Sequence, residues 1–186
     1  MTTDPKVLTA ITQADLAKAI RDATHEVFST MLTLEVVAGE VFTEKQEAPP
    51  ATGVVSLIGL AGSWVGTGSL SCSAQSACWI ASHLLMTEYN GITDDVLDAV
   101  AEVTNMIIGN VKTVLEESLG GMGLSTPTVI YGHNFQTRSA RNQDWTVVPF
   151  TAEGERLCVQ VCIAPNRDAE PKQGKPGYPI PHLLNI

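Results

Sequence analysis

A glutamate and an asparagine three residues apart, Glu102 and Asn105, stand within an otherwise apolar stretch of the chain. At about 100° per residue, a helix through this stretch places both side chains on one face, where they can grip one object together. The same face carries Asp98, Gly109, Lys112 and Glu116. The opposite face is an apolar stripe of Val96, Val100, Val103, Ile107, Val111 and Val114. This pattern predicts an amphipathic helix that presents a carboxylate and an amide to its surroundings.

Gly109 is an unusual residue for the exposed face of a helix. In a helix interior, glycine costs about 1 kcal/mol relative to alanine. One reason to tolerate that cost is close approach of another molecule to the helix backbone. We therefore predict that Gly109 leaves room for a partner's surface.

Three helices are expected to support this face. Helix starts are indicated by serine or threonine N-caps, and the central helix is predicted to end at a glycine-rich, flexible turn over residues 120–123. The predicted helices are Thr12 to about Leu32, a segment after Ser71 or Ser73 that reaches Leu85, and Thr93 to about Leu119.

Strands are predicted where β-branched and apolar residues cluster between turn residues. They are Leu34–Phe42, Val54–Ala61, Trp64–Cys72, Ser125–Gly132, Trp145–Phe150 and Leu157–Ile163. The turn at 61–63 and the turn at 152–155 each predict an antiparallel hairpin. Gly66 and Gly68 share one face of their strand, which favours close approach of a neighbouring backbone or helix there.

The element order predicts an α/β (α+β) fold in which an α-β-β-β unit occurs twice. We expect long helices on one face of an antiparallel or mixed sheet. Residues 1–11 are interpreted as an N-terminal lead-in and 12–164 as one domain. Residues 165–186 contain five prolines and are interpreted as a proline-rich tail.

Composition narrows the functional classes. The net charge of −9 argues against nucleic acid or an anionic membrane as the main partner. There is no apolar run of the roughly 20 residues that a membrane span needs, and no signal-peptide pattern, so a cytoplasmic protein is expected. The four cysteines lack Cys-x-x-Cys spacing and are interpreted as reduced and structural. No phosphate-binding loop, nucleophile elbow or histidine cluster was found.

The sequence around the central helix resembles the CheX branch of the CheC/CheX/FliY family of chemotaxis phosphatases. The resemblance rests on the segment from Asp98 to Lys112, with its Glu-x-x-Asn-x-x-x-Gly-Asn pattern, on the strand 124–132 with its Ser-x-Pro motif, and on the glycine-containing hairpin 55–73. Relatives of the CheC type usually carry two Glu-x-x-Asn sites. The first helix of this chain has Asp22-Ala-Thr-His25 instead, so one site is expected, as in CheX.

The resemblance implies that the protein hydrolyses the aspartyl phosphate of a CheY-type receiver domain. In such a reaction Asn105 would orient the attacking water and Glu102 would pair with a lysine of the receiver. We assign Asp98, Gly109 and Lys112 to partner binding. The receiver would supply Mg²⁺, and no metal or other cofactor is expected on this chain. The resemblance and the uncharged faces of strand 157–163 together predict a homodimer.

Two other functions fit part of this pattern. A non-catalytic module, as in flagellar switch proteins of the FliM type, would bind receiver domains and leave the phosphate intact. A small-molecule enzyme would use Glu102 as a general base and would need a pocket around the helix. The retained pair of Glu102 and Asn105 favours the phosphatase.

Overall fold

A computed structural model describes residues 11–44, 51–136 and 144–166 of the chain. Its helices are α1 (Gln13–Val27), continued by a π-helical turn (Phe28–Leu32), α2 (Ala74–Leu85) and α3 (Asp94–Leu119). Its strands are β1 (Val37–Ala38), β2 (Phe42–Glu44), β3 (Ala51–Gly62), β4 (Trp64–Cys72), β5 (Met122–Leu124), β6 (Thr128–Phe135), β7 (Trp145–Ala152) and β8 (Glu155–Pro165). The predicted lead-in and tail lie outside the described residues, apart from Ile11, Pro165 and Asn166.

The strands form one sheet in the order β1-β7-β8-β4-β3-β5, with β2 also paired to β7 and β6 also paired to β3. Every described pairing is antiparallel. Each half of the chain gives a hairpin to the centre of the sheet and two strands to the other half's hairpin. The α+β class is confirmed, but each half of the chain supplies four strands and not the three of the predicted α-β-β-β unit.

The helices cover one face of the sheet, and glycine in β4 lets them come close. A Cβ atom added to Gly68 would lie 2.5–2.8 Å from three side-chain atoms of Ile108 on α3. One added to Gly66 would lie 2.1 Å from the carbonyl oxygen of Cys162 on β8. The predicted close approach at these two glycines is therefore correct, once for a helix and once for a backbone.

The strand predicted over Leu34–Phe42 is wrong as a single element. Only Val37 and Ala38 pair with β7 in this part, and pairing resumes at Phe42. Between the two short strands, Gly39 donates its N–H to the carbonyl oxygen of Pro149 on β7. Proline has no N–H to return, so the ladder is interrupted there.

The flexible turn predicted over residues 120–123 is also wrong. Met122 to Leu124 form strand β5, which pairs with the end of β3 from Leu60 to Gly62. The predicted turn at 61–63 shortens accordingly, because β3 continues to Gly62 and β4 starts at Trp64. The glycines at 120, 121 and 123 favour a turn locally. Pairing with β3, which is distant in the sequence, makes residues 122–124 a strand instead.

The second predicted hairpin is confirmed. Strands β7 and β8 pair from Thr146 opposite Val161 to Ala152 opposite Glu155. The two turn residues, Glu153 and Gly154, have φ of 50° and 88°, which is the backbone that suits a two-residue hairpin turn. The four cysteines are free thiols. None of the described helices is long and apolar enough to cross a membrane.

Candidate functional site

Helix α3 starts and ends where the sequence predicts. The side chain of Thr93 accepts a hydrogen bond from the backbone N–H of Val96, and Asp94 and Asp95 lie in the first turn. Negative charge there opposes the positive end of the helix dipole. At the other end, the N–H of Gly120 donates to the carbonyl oxygen of Glu116. The helix is therefore fixed at both ends.

The apolar face of α3 is buried along its whole length. Val96, Val100, Val103, Ile107 and Val111 are fully buried as predicted. Val114 is not, because 52% of its surface is exposed, and Leu115 takes the next core position. Since 3.6 residues make one turn, a step of four from Val111 stays closer to the core than a step of three does in this part of the helix.

The opposite face of α3 presents the predicted pair to solvent. Asp98 and Glu102 are exposed, and Asn105 and Gly109 are half-buried. Within the described ranges, the side chains of Glu102 and Asn105 make neither a hydrogen bond nor an ion pair. An amide offers both a donor and an acceptor, and a carboxylate accepts from cations, so both groups are free to engage a second molecule.

Lys112 lies on the same face but already has a partner. Its Nζ is 2.7 Å from Oε2 of Glu116, and Oε1 of Glu116 accepts a hydrogen bond of 2.7 Å from the backbone N–H of Met122. The Lys112 and Glu116 side chains are only 21% and 28% exposed. The glutamate therefore ties the first residue of β5 to α3, and Lys112 fixes the glutamate.

This link predicts a pH-dependent contribution to stability. The hydrogen bond from Lys112, and then that from Met122, lower the pKa of Glu116 below its ordinary value of 4.5. A lowered folded-state pKa stabilises the fold above pH 4.5, and the contribution is lost as the pH falls through the folded-state pKa. We expect Glu116→Gln to lower the free energy of unfolding near neutral pH. The difference between this variant and wild type should become smaller below pH 4.5. Urea unfolding at several pH values measures both effects.

Glu117 provides the matched control for this prediction. It is exposed on the same turn, and in the described part of the chain its side chain makes no comparable bonds. Glu117→Gln should leave the free energy of unfolding within about 0.5 kcal/mol of wild type at every pH. An equal effect of the two substitutions would show that loss of charge, and not the link to β5, is responsible.

Two flanking elements border the exposed face of α3. On one side, Nδ2 of Asn110 donates to Oε2 of Glu26 on α1, over 3.2 Å. On the other side, Leu124 lies nearest to Gly109, and Ser125 exchanges hydrogen bonds with the backbone of Gly59 on β3. Sequence reasoning missed the role of Glu26. Asn110 and Ser125 belong to the motifs found in the sequence, but the motifs did not indicate which residues these side chains contact.

The first helix does not repeat the arrangement of Glu102 and Asn105. Asp22 forms an ion pair with Lys18, and Nε2 of His25 lies 3.2 Å from a carboxylate oxygen of Glu35. Both side chains therefore have partners within the chain. The single site on α3 stays a prediction.

One cleft near the end of α3 lies away from the pair of Glu102 and Asn105. The cleft between α1 and the end of α3 is lined by Asp22, Val114 and their neighbours, and it contains neither Glu102 nor Asn105. In residues 11–44, 51–136 and 144–166, no three His, Cys, Asp or Glu side chains group as a metal site would require.

Known proteins are similar to this chain in sequence and in fold. The family model described as chemotaxis phosphatase CheX matches residues 54–151. The CheY-P phosphatase CheX of Thermotoga maritima is 26% identical over 127 residues, which is 68% of this chain and 81% of that protein.

Solved structures of CheX proteins are also similar. CheX from Desulfovibrio desulfuricans has a TM-score of 0.72 and 28% identity, and the match covers 81% of this chain and 99% of that one. CheX from Borrelia burgdorferi, in its complex with CheY, BeF₃ and Mg²⁺, has a TM-score of 0.67 and 29% identity over 80% and 97% of the two chains. The family match extends over more than half of the sequence and includes α3 with its exposed pair, so this chain belongs to the CheX family of chemotaxis phosphatases.

Proposed function

We propose that this protein hydrolyses the aspartyl phosphate of a CheY-type receiver domain, and that Asn105 and Glu102 carry the reaction. The observation that supports this most directly is the pair itself. Both side chains project from a helix whose opposite face is buried, and neither has a partner among the described residues. A CheX relative that is 29% identical has been crystallised with CheY, which supports a receiver as the partner.

In the proposed reaction, the main contribution of this chain is to position the attacking water. Water attacks phosphorus, and the bond from phosphorus to the aspartate oxygen breaks. Inorganic phosphate is released, and the receiver's aspartate regains its free carboxylate. An acyl phosphate has a good leaving group already, so the main gain is orientation of the water. The Asn105 amide accepts a hydrogen bond from that water through its oxygen and donates through its nitrogen. Glu102 pairs with the receiver's lysine and holds α3 in register.

The remaining parts of the reacting centre are assigned to the receiver. It supplies the phosphorylated aspartate, the lysine and Mg²⁺. The metal neutralises charge on the phosphoryl oxygens when it is bound. This division of labour implies a cytoplasmic site of action, where receivers are phosphorylated.

The surface around the pair completes the proposed contact. Asp98 is exposed one turn before Glu102, and Gly109 follows Asn105 by one turn. Both lie on the side that the receiver would cover. Lys112 shares this side, but Glu116 holds its ammonium group. Lys112 therefore contributes to partner binding indirectly. Through Glu116 it keeps β5 beside α3, and this preserves the shape of the surface that the receiver contacts.

The direct test uses a receiver domain phosphorylated on its aspartate. The release of inorganic phosphate is followed with and without catalytic amounts of this protein, at matched Mg²⁺. We expect faster release with the protein. A receiver that binds the protein and keeps its phosphate for the same lifetime would support the non-catalytic module and overturn the proposal.

Gly109 offers a separate test of the contact. Within this chain, a Cβ atom added there would meet only Leu124 Cδ1, at 3.9 Å. Gly109→Ala should therefore stabilise the fold by about 0.5–1 kcal/mol, because alanine is the better helix former. We expect the same change to raise the receiver concentration needed for half-maximal hydrolysis. A variant that is more stable and equally active would show that the glycine is not kept for the partner.

The homodimer remains a prediction, and the sheet suggests where it forms. On the face of β8 turned away from the helices, Cys158 and Gln160 are half-buried, and their neighbours Ser69 and Ser71 on β4 are also uncharged. We expect light scattering at micromolar concentration to give twice the chain mass of 19.8 kDa. Gln160→Lys would place a charge in this face and should shift the protein towards monomer. A monomeric wild type would contradict the prediction.

A further inference from the structure

A cleft with aromatic walls lies at the start of α3, away from Glu102 and Asn105. It has a volume of about 490 Å³ and is formed by α2, the loop that leads into α3, β6 and the start of β8. Its aromatic residues are Trp79, Tyr89 and Tyr131. Tyr131 is 46% exposed, which is high for so large a side chain. The proposed phosphatase reaction uses none of these residues.

One carboxylate, that of Glu155, lines the same cleft. Glu155 accepts hydrogen bonds from Gln75 Nε2 and Ser76 Oγ, at 2.7 and 2.6 Å. Both donors are neutral, so the negative charge of Glu155 is fixed in place and kept. In the described part of the chain, no lysine or arginine forms an ion pair with it. In the hairpin turn before Glu155, Oε2 of Glu153 accepts a hydrogen bond from Trp79 Nε1 and lies 3.8 Å from Nε2 of His83.

Aromatic rings beside fixed carboxylates suit a proline-rich segment that carries a positive charge. A polyproline II helix has three residues per turn, so two prolines three apart lie on one face and pack against aromatic rings. The chain itself contains such a segment. Pro176-Gly-Tyr-Pro179 has the required spacing, and Lys175 comes immediately before it.

The length of chain between β8 and this segment matches the distance to be covered. Strand β8 runs from Glu155, at the cleft, to Pro165, so the eleven residue steps from Glu155 to Asn166 span no more than about 36 Å. An extended chain covers at most about 3.6 Å per residue, or about 36 Å in the ten steps from Asn166 to Pro176. Residues from Pro176 onward can therefore return to the cleft, and Lys175 can reach it with its side chain.

We propose that the cleft formed by Trp79, Tyr89, Tyr131 and Glu155 binds the chain's own segment 175–179. Pro176 and Pro179 pack against the aromatic rings, and the Lys175 ammonium group faces the carboxylates of Glu153 and Glu155. This interaction is independent of the phosphatase reaction. It gives the tail a docking site on the same chain.

Carbodiimide cross-linking of the full-length protein tests this directly, because the reagent joins a lysine amine to a nearby carboxylate. Mass spectrometry of the digest should show Lys175 linked to Glu153 or Glu155. A mixture of ¹⁴N- and ¹⁵N-labelled protein identifies which copy supplies the tail. Links only within one label support docking on the same chain. Links between labels show that a second copy's tail occupies the cleft and overturn the proposal, as does the absence of any link.

Paired variants separate the cleft from chance proximity. Replacing Pro176 and Pro179 by alanine should reduce the Lys175 link by about tenfold, because the packing against the rings is lost. Pro171→Ala, which changes a proline outside the docked segment, should leave the link unchanged. Tyr131→Thr keeps a strand-forming residue on β6 and should reduce the link as the proline pair does. Equal links in all variants would overturn the proposal.

Discussion

Asn105→Ala is expected to reduce receiver dephosphorylation by about a hundredfold or more while leaving the fold and receiver binding intact. Orientation of a reactant is lost steeply, and misplacement by about 1 Å can cost roughly a hundredfold. The Asn105 side chain makes no hydrogen bond in the described structure, so its removal breaks no internal contact. Single-turnover release of phosphate at saturating protein measures the effect without a contribution from affinity.

Two further variants on α3 provide controls for this result. Asn110 lies five residues after Asn105 on α3, and its amide donates to Glu26 of α1. Asn110→Ala should leave the rate of phosphate release near that of wild type. Glu102→Gln removes the charge that we assign to the receiver's lysine. It should raise the protein concentration needed for half-maximal rate and weaken the salt dependence of binding. If Asn105→Ala releases phosphate as fast as wild type, the assignment of Asn105 is wrong.

Gly68→Ala is expected to destabilise the fold by about 1–3 kcal/mol, which is typical of an overpacked core. The new Cβ atom would meet three side-chain atoms of the fully buried Ile108 at 2.5–2.8 Å. Rotation of one side chain cannot relieve all three contacts, so α3 must move away from β4. The free energy of unfolding in urea measures the cost. Phosphatase activity should fall as well, because α3 carries Glu102 and Asn105.

The steric cause can be isolated by a double substitution. Ile108→Ala alone should lower the free energy of unfolding by about 2–5 kcal/mol. The loss in the double variant should be smaller than the sum of the two single losses by about 1 kcal/mol or more. Gly91→Ala is the matched control, because no atom lies within 4 Å of a Cβ atom added there. Additive costs of Gly68→Ala and Ile108→Ala would exclude the contact as the cause.

The extent and exposed face of α3 followed from the sequence alone. A helix is held by local hydrogen bonds, so the caps at Thr93 and Gly120 and the apolar period between them determine where it starts, where it ends and which face is buried. For the same reason Glu102 and Asn105 could be placed together before any fold was known. Their spacing is a property of the helix. The hairpin of β3 and β4 was predictable on similar grounds, since its turn is short.

The tertiary structure decided what depends on residues far apart in the sequence. Strand β5 is glycine-containing and only three residues long, and it exists because β3 pairs with it and Glu116 holds Met122. The break between β1 and β2 depends on Pro149, more than a hundred residues away. Whether a polar side chain on α3 is available to a partner was decided in the same way. Lys112 and Asn110 are occupied by Glu116 and Glu26, whereas Glu102 and Asn105 have no partner in the described chain. Spacing placed Glu102, Asn105 and Lys112 on one face, but only packing determined which polar side chains of α3 are free to act.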